Sequence, residues 1–418
     1  MGYFIFFFYL FLLSWLLTRI SFVQKSGLSA RIVIALFVIK IIAGIFSGWM
    51  LRNDVNSDTW IYHKDALAEY HLLFNNPSEY FTNLFYTGYQ YGYDGVLQFH
   101  NSYWNDLKTN LMVKFVSVLH IFSFGHYYVN VVLYNFLVFF GHVALFRTFS
   151  NVFKNSGKVL LFTCFLLPSL LLFSSTLHKE GLIFSAISIT CYCFYKIVNF
   201  TGFVKSKVFM VLLFLLLIFL FRSYIIIVFI PALFAWYISY RKKYSPAIIF
   251  SLIFIAGILI FFITPYFLPS FNLPRLVVQK QTDFLSLGKA NSSIEVNNLL
   301  PDFKSFLMNS PQALNHTLLR PCMADYSLSL PLVPFIAELL LYQLLFILFL
   351  FFRNRQIVDK CFILFSISFS LFVLLIIGYT VPVLWAIIRY RSIYLPFLLT
   401  PIFCSIDYKK IQRFIQVK

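Results

Sequence analysis

Long uninterrupted runs of apolar residues dominate the chain, and they predict its secondary structure. Segments such as 211–221 and 362–377 are largely apolar on every face, whereas a strand of a membrane barrel alternates apolar and polar side chains. In hydrocarbon, only helices and closed barrels satisfy all of their backbone hydrogen-bonding groups. The runs therefore predict transmembrane helices and an all-α, polytopic membrane protein.

About eleven runs have a length that suits a membrane-spanning helix, and they predict one membrane domain over 1–418. Two long polar segments, 52–126 and 269–330, interrupt the series and are expected to contain short helices. One of them is predicted over 111–124, as an amphipathic helix on the membrane surface. The predicted spans are 3–19, 31–51, 127–147, 158–175, 181–198, 207–221, 223–239, 246–267, 331–352, 361–380 and 383–403.

The composition agrees with this class, because 60% of the 418 residues are hydrophobic and only 11% are charged. Lys and Arg concentrate in alternate connecting segments, in which Asp359 and Asp407 are the only acids, so the positive-inside rule makes these segments cytoplasmic. The N-terminus is then outside, the C-terminus inside, and 52–126 and 269–330 are extracytoplasmic, on a bacterial inner membrane. The basic residues concerned are Arg19, Lys25, Arg31, Arg147, Lys154, Lys158, Lys196, Lys205, Lys207, Arg241, Lys242, Lys243, Arg353, Arg355, Lys360, Lys409, Lys410, Arg413 and Lys418.

The net charge of +18 is therefore mainly a signal of topology. Nucleic-acid binding would gather basic residues on one soluble face, and the sequence contains no such domain, so we expect no nucleic-acid partner. The sequence also lacks a glycine-rich phosphate loop, a His-x-x-x-His metal pair and a Gly-x-Ser-x-Gly elbow. No cofactor is implied, although a divalent metal stays open.

The first long polar segment opens with acidic and aromatic residues directly after a predicted span. Asp58 is the candidate catalytic residue, because a carboxylate at the membrane surface accepts a proton from an acceptor hydroxyl group as a general base. Asp54 and His63 are the neighbouring candidates for substrate binding. The alternative is structural, since Ser57 or Asp58 would cap a helix that runs through 66–70.

A tyrosine-rich tract follows at 86–94, and it has two interpretations. Its rings offer stacking surfaces to a sugar, and they equally suit the aromatic belt of a membrane interface.

Basic residues also occur where the positive-inside rule disfavours them, in predicted external turns and helix ends. Arg389 and Arg391 lie about 10 Å into the last predicted span, at 1.5 Å per residue, where a charge normally faces a cavity or a partner. Cations gathered on one face suit the phosphate groups of a lipid-linked substrate, and the alternatives are snorkelling to lipid headgroups and internal ion pairs. The candidates are His178, Lys179, Arg222, Arg320, Arg389 and Arg391.

Two further ionisable residues lie deep in predicted spans. Lys40 is near the middle of the second span and Glu338 is within the ninth. We expect them to pair with each other as a structural contact, and a proton relay is the alternative.

The layout resembles the GT-C superfamily of polytopic glycosyltransferases. The resemblance rests on a span followed by a long external segment with Asp58, Tyr62, His63 and Ala66, and then a surface helix. The segments 168–180 and 389–396 also look like bacterial envelope-polysaccharide proteins, including O-antigen-polymerase-like ones. The GT-C resemblance implies a polyprenyl-phosphate or pyrophosphate sugar donor and a first-loop acid near the acceptor, here Asp58. An additional N-terminal span and the lack of an adjacent acidic pair depart from the common pattern.

The sequence therefore predicts a membrane glycosyltransferase that acts on the outer face. Arginines would hold the lipid-linked donor, Asp58 would activate a glycan or lipid acceptor, and membrane lipid would surround the protein. A polysaccharide polymerase or ligase with arginine-dominated catalysis is the first alternative. A lipid-linked sugar transporter, or a non-catalytic subunit of an export complex, is the second.

Overall fold

The structure is a computed structural model, and its described part is helical, with isolated β-bridges but no strands. It describes residues 2–84, 103–154, 156–199, 205–241, 244–267, 272–288, 290, 292–323, 325, 330–354 and 359–416. The tyrosine-rich tract 86–94 lies outside these residues. The all-α class predicted from the apolar runs is confirmed.

Several long apolar helices have the length of a membrane span. Among the described residues, eight are long and apolar enough to cross a membrane, which indicates an integral membrane protein. They are Gly2–Arg19, Ala30–Met50, Tyr127–Val152, Lys179–Asn199, Ser223–Arg241, Pro246–Phe267, Val333–Phe351 and Lys360–Thr380.

The remaining helices are shorter or more polar. A ninth span would result if the pair Gly157–Leu166 and Pro168–Ser175, bent by 45°, crosses as one unit. The other helices are Ser21–Gln24, Asp58–Asn75, Pro77–Thr82, Tyr103–Ser123, Lys205–Phe221, Leu273–Ser286, Phe303–Leu318, Leu384–Ser392, Leu395–Cys404 and Tyr408–Gln416, with a 3₁₀ turn at Leu330–Leu332.

Two of the predicted spans are broken, and proline explains both breaks. In the segment predicted as 158–175, the π-helical stretch Phe162–Leu166 ends at Leu167, whose ψ of 122° is extended, directly before Pro168. The last predicted span breaks before Leu395, with Pro396 in the first turn of the new helix. Proline lacks an N–H, which suits the first turn of a helix at Pro396, and at Pro168 it also disfavours helical backbone in the preceding residue. Helix Lys205–Phe221 has 17 residues, so the count of eleven spans stays a prediction.

The chain divides into two compact units, and each has its own core. The first unit comprises Met1–Leu145, Leu171–Tyr192 and Val211–Phe221. In it the helix Asp58–Asn75 packs along Tyr103–Ser123. The predicted surface helix is thus longer than 111–124, and it buries one side, which includes Met112, Val116 and His120.

The second unit comprises Phe146–Leu170, Cys193–Met210 and Arg222–Lys418. Its core is aromatic: Trp236 and Phe229 pack against the rings of Phe362, Phe365 and Phe369 on the helix Lys360–Thr380. Lipid is itself apolar, so moving an apolar side chain out of lipid contributes little to stability. Close packing of these side chains is therefore what stabilises the unit. The helix Phe303–Leu318 lies against the same helix, where Gly378 allows the approach of the Ala313 backbone.

Candidate functional site

Asp58 is the first residue of the helix Asp58–Asn75, and hydrogen bonds to two other helices fix the start of that helix. The Trp60 indole nitrogen donates to the Gly48 carbonyl oxygen at 2.9 Å, and the hydroxyl oxygens of Thr59 and Tyr127 lie 2.8 Å apart. Ser57 occupies the N-cap position with an extended backbone, but its side chain makes no capping hydrogen bond to the described residues. Asp58 is therefore held by its neighbours along the chain.

His178 lies in the short turn between Pro168–Ser175 and Lys179–Asn199. The Tyr134 hydroxyl group donates to the His178 carbonyl oxygen, and the Asn135 amide donates to the Ser175 carbonyl oxygen at 2.8 Å. Both donors come from the helix Tyr127–Val152. These contacts fix the backbone on either side of the turn, so the imidazole is positioned by buried structure.

The His178 imidazole lies between two carboxylates. Its Nε2 is 3.2 Å from Asp58 Oδ2, and its Nδ1 is 2.5 Å from Glu180 Oε2. The Lys179 amide also donates a hydrogen bond to Nδ1 at 3.2 Å. The imidazole therefore has a carboxylate beside each ring nitrogen, and Nε2 is the nitrogen that faces Asp58.

Burial decreases from Glu180 through His178 to Asp58. Glu180 is 1% exposed, the His178 side chain is 10% exposed and the Asp58 side chain is 41% exposed. A buried carboxylate that orients a histidine, which in turn contacts an accessible group, is a common arrangement for acid–base catalysis. Asp58 is the member that a ligand can reach.

Tyr62 and Lys179 complete what we call the His178 cluster, defined as Asp58, Tyr62, His178, Lys179 and Glu180. Tyr62 lies one helical turn after Asp58, and its ring meets the His178 ring edge-on with centroids 5.9 Å apart. The Lys179 ammonium nitrogen lies 5.2 Å from the centre of the Tyr62 ring. The cluster thus combines two carboxylates, an imidazole, a phenol and an ammonium group.

Asp54 and His63 lie in other surroundings. Asp54 is exposed, and its Oδ1 accepts a hydrogen bond from the Asn56 amide at 3.0 Å, which closes a local turn. His63 packs against the rings of His120 and Tyr127, at centroid distances of 5.0 and 5.3 Å. Burial and the nearby His120 and His126 lower the pKa of His63 to about 4. Their role in substrate binding stays a prediction.

Two of the predicted arginines share one aromatic ring in the second unit. The guanidinium carbons of Arg222 and Arg389 lie 4.0 and 5.0 Å from the centre of the Tyr390 ring, so they are at most 9.0 Å apart. Arg222 also donates to the Tyr224 hydroxyl oxygen at 3.0 Å, and Arg389 to the Tyr390 hydroxyl oxygen at 3.2 Å. Both side chains are half-buried. We call Arg222, Arg389 and Tyr390 the Tyr390 group.

Arg391 and Arg320 serve contacts within the protein. Arg391 is 1% exposed, and its Nη1 donates to the carbonyl oxygens of Thr317, at 2.9 Å, and Arg320. It therefore caps the C-terminal end of the helix Phe303–Leu318, where a cation also complements the helix dipole. The Arg320 guanidinium group lies 3.6 Å from Asp325 Oδ1.

Sequence reasoning missed several members of these groups. Glu180 was not among the predicted site residues, although it lies at the start of an apolar run, where an ionisable residue is a candidate for function. Tyr62 and Tyr390 lie in segments that carry the resemblance, but neither was predicted as a site residue, because tyrosine is common in this sequence and at membrane interfaces. Their roles follow only from proximity in space.

An open cavity of about 470 Å³ lies at the end of the helix that Trp60 contacts. Its lining includes Trp49, Met50, Arg52 and Asn53, which directly precede the Asp54–Asp58 turn in the chain. In the part of the chain that the structure describes, no three His, Cys, Asp or Glu side chains are arranged to hold a metal ion. In the His178 cluster the two carboxylates bind opposite nitrogens of one ring and do not converge on a point.

Comparison with known proteins adds no relative. No protein-family model matches the chain, and no curated protein or solved structure matches it significantly.

Proposed function

We propose that the protein transfers a sugar from a polyprenyl-phosphate or polyprenyl-pyrophosphate donor to a glycan or lipid acceptor on the extracytoplasmic face of the membrane. The observation that supports this most directly is the line formed by Asp58, His178 and Glu180. A half-exposed carboxylate backed by a buried histidine–carboxylate pair suits the removal of a proton from a hydroxyl group. The GT-C-like layout of the sequence supports the same reaction.

In the proposed reaction Asp58 accepts the proton of the acceptor hydroxyl group. The acceptor oxygen forms a bond to the anomeric carbon of the sugar, the bond from that carbon to the phosphate oxygen breaks, and the electron pair leaves with the phosphate. His178 contacts Asp58 through Nε2, and Glu180 lies beside Nδ1 on the other side of the ring. The proton stays on Asp58 until it is released to water.

The Tyr390 group, within the second unit, is a separate candidate contact for a phosphate or pyrophosphate group. Guanidinium groups bind phosphate oxygens with two parallel hydrogen bonds, and cations near the leaving group stabilise the charge that develops on it. Arg222 and Arg389 are the half-buried members, and at no more than 9.0 Å apart they suit two phosphate groups of one pyrophosphate. Arg320 and Arg391 support this region through the carbonyl contacts described above.

The proposed location is a bacterial inner membrane, with eleven spans, the N-terminus outside and the C-terminus in the cytoplasm. The alternation of basic and acidic connecting segments supports this topology. It brings Asp58, His178 and Lys179 to the extracytoplasmic side, where lipid-linked donors are used by the enzymes that the sequence resembles.

A transfer assay tests the proposal. Purified protein is incubated with a radiolabelled polyprenyl-pyrophosphate-linked sugar and a panel of glycan acceptors, and the product is quantified. We expect Asp58→Asn to lower turnover by about 10²–10⁴-fold, because the isosteric change removes the base. Asp65→Asn, which removes an exposed carboxylate two turns later on the same helix, is the matched control and should keep its activity. Full turnover in Asp58→Asn would contradict the proposed role.

A polysaccharide polymerase or ligase is the second candidate, and the Tyr390 group favours it. Two guanidinium groups on one tyrosine ring suit catalysis in which arginines stabilise the leaving pyrophosphate and no carboxylate base is needed. Full activity in Asp58→Asn together with loss of activity in Arg389→Ala would select this candidate. A transporter has less support, because Lys40 and Glu338 are occupied by hydrogen bonds to neighbouring serines.

A further inference from the structure

The last helix, Tyr408–Gln416, has two chemically distinct faces. It begins four residues after the apolar helix Leu395–Cys404 ends. At 100° per residue, Tyr408, Ile411 and Phe414 fall on one side. Lys409, Lys410 and Arg413 fall on the opposite side, and all three are exposed.

The apolar side of this helix is continuous with an exposed apolar surface at the end of another helix. The Asp407 amide donates to the Phe352 carbonyl oxygen at 2.8 Å, and the rings of Phe352 and Phe414 have centroids 5.7 Å apart. Phe414 is 57% exposed, and Phe351 is 74% exposed. These contacts place aromatic side chains from both segments in one patch, which would be costly to leave in water.

The charged groups around this patch are mainly cations. The sequence contains no Asp or Glu from Tyr408 to Lys418, and the Asp407 carboxylate is used to accept a hydrogen bond from the Lys410 amide at 3.1 Å. Arg353 adds a further exposed cation beside Phe352, over the ring of Phe349. Exposed aromatic rings flanked by Lys and Arg match the interface of a bilayer with anionic headgroups.

We propose that the helix Tyr408–Gln416 lies in the membrane surface and binds anionic phospholipid headgroups through Lys409, Lys410 and Arg413. Tyr408, Ile411 and Phe414 enter the boundary between headgroups and acyl chains. A soluble anion would bind the basic face but leave the aromatic rings in water. A bilayer binds the basic face through its headgroups and the apolar face through its acyl chains. The attachment to an apolar helix four residues away brings the helix to that surface. This inference does not depend on the proposed transferase activity.

Hydrogen–deuterium exchange of the full chain in nanodiscs tests the inference. The amides of residues 408–416 are compared in phosphatidylcholine alone and in an equal mixture with phosphatidylglycerol. Each Lys or Arg near an anionic surface contributes about 1 kcal/mol, or roughly fivefold, so we expect the three together to slow exchange by about 100-fold in the mixture. Salt that shortens the Debye length to roughly 3 Å should remove most of this protection.

Two variants and one added ion make the outcomes distinct. In the triple variant Lys409→Gln, Lys410→Gln, Arg413→Gln we expect the lipid-dependent protection to disappear. The control variant Arg275→Gln, Lys280→Gln, Lys304→Gln removes three positive charges elsewhere and should keep the lipid-dependent protection of residues 408–416. Equal exchange of the wild-type helix in both lipids would overturn the proposal. Protection by inorganic phosphate in phosphatidylcholine nanodiscs would instead assign the cations to a soluble anion, and would overturn it as well.

Discussion

Arg389 and Arg391 are two residues apart, yet the structure gives them different surroundings. Arg389 is half-buried beside the Tyr390 ring, whereas Arg391 is fully buried and donates to the carbonyl oxygens at the end of the helix Phe303–Leu318. Residues two apart point to different sides of a helix, so one arginine is available to a ligand and the other holds the fold.

Substitution of each arginine by methionine separates these roles. We expect Arg391→Met to lower the free energy of unfolding by about 1–3 kcal/mol, because the carbonyl oxygens of Thr317 and Arg320 lose a buried donor. Arg389→Met should change stability by less than about 1 kcal/mol, since a half-exposed charge contributes little, while raising KM for the lipid-linked donor. Thermal denaturation in detergent measures stability. Equal destabilisation by both changes would show that Arg389 is also structural.

The short helix Pro168–Ser175 has an ionisable side chain bound at each end. At its start, Glu338 accepts hydrogen bonds from the Ser169 amide at 3.1 Å and the Ser169 hydroxyl group at 2.9 Å. At its end, the Lys40 ammonium group donates to the hydroxyl oxygens of Ser174, at 2.8 Å, and Ser175, at 3.0 Å. The Glu338 carboxylate at the start of the helix and the Lys40 ammonium group at its end both complement the helix dipole. The helix therefore has a fixed position, and it leads directly into the turn that carries His178.

Glycine at position 44 tests how closely this turn is held. A Cβ atom at Gly44 would lie 2.5 Å from the Ser175 carbonyl oxygen, so Gly44→Ala must displace the backbone three residues before His178. We expect a loss of about 1–3 kcal/mol in stability, together with reduced turnover. Gly257→Ala is the control, because no described atom lies within 4 Å of its added Cβ. The control should raise stability by about 0.5–1 kcal/mol through helix propensity, as measured by thermal denaturation.

The helix pair Asp58–Asn75 and Tyr103–Ser123 contains two histidines whose pKa values are lowered. Burial lowers the pKa of His63 and of His120 to about 4, and their rings lie 5.0 Å apart. The unfolded chain, with an ordinary histidine pKa near 6.5, binds protons that the folded pair does not. Stability should therefore be complete above about pH 6.5 and should fall as the pH drops from about 6.5 to 4.

Thermal denaturation at a series of pH values measures this effect. We expect the double variant His63→Gln, His120→Gln to show a flatter dependence between about pH 6.5 and 4, because it removes both groups whose protonation opposes folding. His71→Gln is the control, and it should keep the wild-type slope. An unchanged slope in the double variant would mean that other groups cause the pH dependence.

At the scale of the whole molecule, the distribution of charge predicts the orientation in the membrane. We expect a reporter fused after Lys418 to be cytoplasmic and a reporter inserted at 291–293 to be extracytoplasmic, because connecting segments rich in Lys and Arg stay inside. Alkaline phosphatase and green fluorescent protein fusions give the two readings. A cytoplasmic reading at 291–293 would place the proposed donor site on the wrong face and would contradict the proposed function.

The sequence by itself determined the helical class and the positions of most helices. Apolar runs of about 20 residues have no other stable form in a bilayer, since each backbone group must bond within its own segment. The runs at 31–51, 246–267 and 361–380 accordingly appear as Ala30–Met50, Pro246–Phe267 and Lys360–Thr380. Pro168 and Pro396 also explain the breaks in the segments 158–175 and 383–403, which were each predicted as one continuous span.

Only the tertiary structure decided which side chains meet. Asp58 and His178 are 120 positions apart, and no periodicity or spacing links them, because their contact depends on how two separate turns are held by Tyr127 and Tyr134. Lys40 and Glu338 were expected to pair with each other, but each forms hydrogen bonds with serine hydroxyl groups of the short helix Pro168–Ser175. A buried polar group must bond to whatever donor or acceptor packing brings within about 3 Å, and the sequence does not specify that neighbour.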